Sequence, residues 1–237
     1  MNPRERIFVA IDTTDMEEAK FLATSVRKYV GGIKLGIKFH NINGLNGVRK
    51  IADDIPLFLD LKYHDIPNTV AGAVRSAVTI SRPKIINIHA SGGLAMMLAA
   101  VEANLEAANK IGIIPPLMIA VTVLTSINDD DLAMIGQDYP SYIQVKRLAL
   151  LAKRSGCDGV VCSPHEIDIL RLNCGAGFSL IVPGIRPSDL IRDDQKRKMT
   201  PEAAIAAGAD YLIIGRPITQ APNPAAAAQL ISDKLIS

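Results

Sequence analysis

The 237-residue chain has almost no net charge, 26 lysines and arginines standing against 24 aspartates and glutamates for a formal balance of +2. Such a balance predicts neither a nucleic-acid footprint nor a polybasic membrane surface, so any attraction for anions has to be local. Cysteine is scarce: Cys157, Cys162 and Cys174 are odd in number and lack C-x-x-C spacing. That pattern predicts reduced thiols in a cytoplasmic protein rather than a disulfide framework. Long apolar runs are missing too. The longest, residues 111–124, is interrupted by Gly112, Pro115 and Pro116 and is too short to span a bilayer. The start, residues 1–9, enters a strand-like segment without the apolar region of a signal peptide. Together these absences predict a soluble protein. No linker rich in Gly, Ser or Pro, no low-complexity tract and no sequence repeat divides the chain, which argues against a solenoid. His40, His64, His89 and His165 lack metal-ligand spacing, so His64 and His89 are expected either to be structural or to stand just behind the residues that contact the ligand.

What is present is apolar sequence in short blocks. At 49% hydrophobic and 21% charged residues, the chain can bury a large core, and its length fits one sizeable domain or two small ones. Short β-branched runs alternate with longer segments of helical period. Strands are predicted at 7–12, 33–37, 56–62, 84–90, 117–124, 159–163, 179–185 and 211–215. Helices are predicted at 16–29, 41–52, 68–81, 94–110, 142–155, 165–172, 201–207 and 224–235. Several strands are apolar throughout, as in a parallel sheet covered on both faces. Eight strand–helix units in this length predict an α/β fold, a single (β/α)8 TIM barrel spanning residues 1–237.

The most informative stretch runs from Leu59 to Thr69, where an apolar run ends in alternating charges. In a strand, Asp60 and Lys62 share a face, and Asp65 follows a short turn later. One ammonium is thereby offered two carboxylates, which favour its charged form against desolvation. A protonated lysine in a cleft is a proton donor. A plain surface ion-pair cluster has the same spacing, and the two alternatives are separated by the company these residues keep. Asp12, Lys34, Asp60, Lys62, His89, Thr122, Thr125, Arg186 and Arg216 all fall in or just after predicted strands. In a barrel of this type that is the end where sites are built.

The seventh and eighth units carry a second signal. Pro183-Gly184-Ile185-Arg186-Pro187 and Ile214-Gly215-Arg216-Pro217 each end a strand with a glycine and an arginine. Glycine lets backbone N–H groups approach a phosphate, and the guanidinium fork matches its oxygens. A phosphorylated substrate is implied. Between them, the polar stretch 187–200 reads either as a closing lid with Gln195 as a ligand contact or as a solvated charge run.

Taken together, the stretch Asp60-Leu61-Lys62-Tyr63-His64-Asp65-Ile66-Pro67-Asn68-Thr69, Ile33-Lys34-Leu35-Gly36, Thr122-Val123-Leu124-Thr125-Ser126 and the two Gly/Arg segments resemble bacterial orotidine 5'-phosphate decarboxylases over essentially the whole chain. Tyr63 stands where phenylalanine is usual, and Val182 where threonine is usual. The resemblance implies decarboxylation of orotidine 5'-phosphate to uridine 5'-phosphate, the last step of pyrimidine nucleotide synthesis, without metal or cofactor. By the same resemblance Lys62 is the proton donor, in a charged network with Lys34, Asp60 and Asp65. Asp12 and Lys34 bind the ribose hydroxyls, and Thr125 and Ser126 lie near the pyrimidine. Pro183, Arg186, Gln195, Gly215 and Arg216 form the phosphate region. A homodimer is implied, with Asp65 and Thr69 reaching into the neighbouring subunit's site.

Three alternatives differ in chemistry. A metal-assisted sugar-phosphate decarboxylase such as 3-keto-gulonate-6-phosphate decarboxylase shares the D-x-K-x-x-D spacing, but Lys34 would repel the ion that such enzymes hold with an acidic residue. A Schiff-base lysine needs to be neutral, and carboxylate neighbours oppose that. A non-catalytic phosphate-binding barrel has no evident use for the Lys62 network.

Overall fold

The computed structural model describes residues 2–187 and 199–235. Eight parallel strands close on themselves in chain order: β1 Ile7–Ile11, β2 Gly32–Gly36, β3 Leu57–Tyr63, β4 Ile85–His89, β5 Leu117–Val121, β6 Gly159–Val161, β7 Ser179–Val182 and β8 Tyr211–Ile214. The ladder returns from β8 to β1, with Phe8 opposite Ile213. The predicted barrel is therefore correct. Helices α1 Met16–Val26, α2 Ile37–Ile51, α3 Pro67–Ser81, α4 Gly93–Lys110, α5 Asp129–Met134, α6 Ser141–Arg154, α7 Ile167–Cys174, α8 Pro201–Ala207, α9 Arg216–Thr219 and α10 Pro224–Lys234 follow or connect the strands. None of the described helices is long and apolar enough to cross a membrane.

Strand side chains alternate between two cores. Outward residues such as Val9, Ile33, Leu59, Ile86, Val160 and Leu212 pack against the helices. Inward residues Phe8, Phe58, Ile85, Ile119, Ile181, Tyr211 and Ile213 fill the N-terminal half of the barrel. Phe8 and Tyr211 meet edge to face, with ring centroids 5.7 Å apart. Burying each such side chain is worth about 1.5–3 kcal/mol, so this plug fixes the floor on which the polar layer stands. Gly32 makes room for it. A Cβ there would lie 2.4 Å from both the Phe8 ring and the Pro56 carbonyl oxygen.

The differences from expectation lie at element ends. β5, β6 and β7 stop at Val121, Val161 and Val182, earlier than predicted. For β7 the cause is local, since Pro183 has no N–H to continue the ladder and Gly184 turns the chain at φ 80°. The helix predicted at 41–52 begins at Ile37, directly after Gly36, and contains a non-helical residue at Gly44 with φ 61°. The helix predicted at 165–172 opens as a tighter turn, Pro164–Glu166, in which Ser163 and Glu166 cap one another. Cys157, Cys162 and Cys174 are buried free thiols, and burial pushes the Cys157 thiol up to about 11.

Candidate active site

Above the aromatic plug the inward residues become polar. β3 turns Asp60 inward one step beyond Phe58, and β2 offers Lys34 one step beyond Gly32. Asp60 is the hub: its Oδ2 lies 2.8 Å from Lys34 Nζ and its Oδ1 2.7 Å from Lys62 Nζ. The Asn87 amide on β4 also donates to Oδ1, at 2.7 Å. Burial alone would raise the carboxyl pKa, but Lys34 and then Lys62 outweigh it and hold the group at about 2. Asp60 is therefore a carboxylate at any ordinary pH.

Within a single chain, then, one carboxylate lies between two ammoniums. Asp65 is exposed in the turn after β3, where its Oδ1 accepts the Ile66 N–H at 2.6 Å instead of pairing with Lys62. The turn carries it away, because Pro67 starts α3 only two residues later.

Lys62 is held in an unusual way. Its φ of 51° lies in the left-handed region, which costs a residue with a Cβ about 1–2 kcal/mol. The β3–β4 register jumps here, Leu59 pairing with Ile86 and Tyr63 with Ile88. Bulges of this kind re-aim side chains. The Lys62 N–H is satisfied by Asn87 Oδ1 at 2.8 Å. His89, next inward on β4, has its ring centroid 5.4 Å from that of His64. Its pKa is lowered by burial first and then by His64 and Lys62, against the pull of Asp60. His89 therefore lies in the field of the lysine network, behind Asp60 and Lys62.

After β7, Arg186 follows the turn at Gly184, donating its backbone N–H to the Met199 carbonyl at 3.1 Å. Arg216 begins α9 immediately after Gly215. Burial and then the like charge of Arg216 lower the pKa of Arg186, so the two guanidiniums form a cationic pair that an anion would relieve. Asp12 is exposed just beyond β1, and its carbonyl accepts Lys38 Nζ at 3.3 Å. Thr125 and Ser126 are exposed in the loop after β5, and Thr69 on the first turn of α3. Thr122, expected to face the site, is buried, and its hydroxyl donates to the Val161 carbonyl at 3.1 Å. The end of β5 at Val121 places it in the wall between strands. Gln195, with the rest of the segment 188–198, lies outside the described residues. Sequence reasoning missed Asn87, Lys38 and the short helix α9. For Asn87 the signal was available: one amide within the run Ile85-Ile86-Asn87-Ile88, in phase with His89.

The chain resembles proteins with this chemistry in their names. Residues 5–231 match the model of the Orotidine 5'-phosphate decarboxylase / HUMPS family. Orotidine 5'-phosphate decarboxylase of Rhodospirillum rubrum is 53% identical over 232 residues, covering 97% of this chain and 94% of that protein. The Haemophilus influenzae (strain 86-028NP) protein of the same name is 50% identical over 225 residues, covering 93% and 94%. Among solved structures, orotidine 5'-phosphate decarboxylase from Lactobacillus acidophilus superposes with a TM-score of 0.87 at 33% identity, over 98% of this chain and 99% of that one. With its barrel, its Lys34–Asp60–Lys62 network and these relatives, the chain belongs to the orotidine 5'-phosphate decarboxylase family.

Proposed function

We propose that this chain converts orotidine 5'-phosphate to uridine 5'-phosphate and carbon dioxide, the last step of pyrimidine nucleotide synthesis, with Lys62 as the proton donor. The observation that carries the assignment is the buried Asp60 carboxylate gripping Lys34 and Lys62 at 2.8 and 2.7 Å, in a barrel whose last two strands are followed by Arg186 and Arg216.

Loss of the carboxylate leaves an electron pair at C6 in the plane of the pyrimidine ring, where it cannot delocalise into the π system. Stabilisation has to come from outside charge. An ammonium fixed beside C6 supplies it and then delivers a proton to the same carbon. Asp60 pins the Lys62 ammonium at 2.7 Å, so little reorganisation is needed as the carbanion forms. Lys34, also on Asp60, stands with Asp12 to take the ribose hydroxyls. Thr125 and Ser126 flank the pyrimidine. Arg186, Gly215, Arg216 and Pro183 hold the phosphate, with Gln195 from the segment above them. Binding energy gathered at that remote phosphate stabilises the closed arrangement in which the reacting carbon meets Lys62. Two ammoniums on one carboxylate also disfavour a divalent cation at Asp60, which separates this chemistry from metal-assisted decarboxylation.

The functional unit is a homodimer. Asp65 and Thr69 are exposed in the single chain, and Ile66 between them leaves 66% of its surface uncovered. A second copy laid over this turn would bury Ile66 and bring Asp65 to the neighbouring Lys62. Three free thiols suit a cytoplasmic location. The test is carbon dioxide release from orotidine 5'-phosphate with excess chelator present. Turnover by the wild type and its loss in Lys62→Ala is the expected result; a folded dimer with no turnover would refute the assignment.

A further inference from the structure

Asn87 is fully buried in the middle of β4, an amide among isoleucines. An amide there would be costly unless both its ends were satisfied, and both are satisfied by the same short piece of β3. Between the pairs Leu59–Ile86 and Tyr63–Ile88, the residues Asp60, Leu61 and Lys62 stand opposite Asn87 alone. The Asn87 side chain fills that mismatch. Its Oδ1 accepts the Lys62 N–H at 2.8 Å, and its Nδ2 donates to Asp60 Oδ1 at 2.7 Å, the oxygen that also holds Lys62 Nζ at 2.7 Å. The amide can face only one way, because an N–H needs the oxygen and a carboxylate needs the nitrogen. Lys62 is thus fixed at both ends through one residue: its left-handed backbone directly, and its ammonium by way of Asp60.

We propose that Asn87 is a positioning residue for the decarboxylation, locking the β3 bulge so that the Lys62 ammonium points at the reacting carbon. The inference rests on the decarboxylase assignment and extends it to a residue outside the substrate's reach.

The experiment compares wild type with Asn87→Ala and Asn87→Asp, measuring kcat, KM for orotidine 5'-phosphate, uridine 5'-phosphate affinity and melting temperature. In Asn87→Ala, kcat should fall about a hundredfold, the scale of a small misplacement of a reacting group. KM and product affinity should stay within about threefold, because ribose and phosphate contacts are untouched. Asn87→Asp keeps the acceptor for the Lys62 N–H but sets a second carboxylate against Asp60. Once protonated, that carboxyl can donate to Asp60 as the amide did. Its kcat relative to wild type should therefore rise at least about tenfold between pH 8 and pH 5. The charged and titratable groups around position 87 are Asp60 and Lys62 on β3, Lys34 on β2, His89 on β4 and His64 after β3, while β5 presents Ile119 opposite it. Wild type carries all of them, so the ratio isolates position 87.

If Asn87→Ala folds with kcat within about threefold of wild type, or loses product affinity in step with kcat, the proposal is overturned. If Asn87→Ala does not fold, Asn87→Asp decides, and a ratio flat with pH refutes the proposal. An active wild type with these negative results sinks this inference alone; an inactive wild type sinks the decarboxylase assignment and this inference with it.

Discussion

Replacing Asp60 by Asn tests the electrostatics of the hub directly. The Asp60 carboxyl is held at about 2, against 3.8 in its ordinary state, and its side chain is only 10% exposed. At ~1.4 kcal/mol per pKa unit, that difference is worth about 2 kcal/mol of stability near neutrality. The sign follows from the depressed value. The unfolded chain takes up the proton more readily, so the stabilisation is full above about pH 4 and is lost as pH falls through 2. Asparagine imitates the protonated acid and leaves Lys34 and Lys62 without their shared counter-charge. Asp60→Asn should be about 2 kcal/mol less stable at pH 7, or about 4–8 °C lower in melting temperature for a chain of this size. By pH 3 about half of that gap should have closed. Urea titrations of both proteins at pH 7 and pH 3, with melting curves at pH 7, provide the measurement. A variant as stable as wild type at pH 7, or a gap that ignores pH, would show that burial outweighs the lysines and that the network does not support the fold.

The other tests address separate parts of the molecule. Lys62→Ala should lower kcat by at least about a thousandfold, within the range for a lost proton donor, while calorimetry finds uridine 5'-phosphate affinity little changed. Arg216→Ala should raise KM about a hundredfold, since a charge-assisted bond contributes about 1.5–3 kcal/mol, and inorganic phosphate should then inhibit less than it does the wild type. Mixing inactive Lys62→Ala with inactive Asp65→Asn subunits should restore turnover, because the mixed dimer owns one site with neither substitution; no recovery after subunit exchange would confine each site to one chain. Arg171→Leu removes a clamp that donates to the carbonyls of Gly175, Phe178 and Gly208 and pairs with Asp210, and should cost about 3 kcal/mol in urea unfolding with kcat unaltered.

The barrel was legible because its determinants are local. Each strand is a short β-branched run, and each strand found in the structure overlaps its predicted position. The grouping of Lys34, Asp60 and Lys62 was legible for a similar reason: parallel strands in sequence order set β2 beside β3, and alternation turns Lys34 and Asp60 inward. Strand ends were less legible, since β5 and β7 stop where a hydroxyl or a proline finds another use, and apolar periodicity carries no record of that. Nor could spacing reveal that Asp65 turns to its own backbone. That depends on the angle at which the chain leaves β3, which the bulge at Lys62 alters.

That bulge joins fold to chemistry. A regular β3 would place Lys62 in the inward row after Asp60 with its N–H engaged in the ladder. Instead, three residues face one, Lys62 is left-handed, and a side chain from β4 replaces the missing ladder partner. Strain of this kind, about 1–3 kcal/mol, persists only where its surroundings over-determine it. Here they do: the aromatic plug fixes Phe58 and Ile85 below, the Lys34–Asp60 pair fixes the next inward step, and Asn87 ties the two strands across the mismatch. The energy stored at Lys62 is therefore borne by a rigid parallel barrel and not by a loop. The role proposed for Lys62, protonating a short-lived carbanion without reorganising, calls for a support of that stiffness.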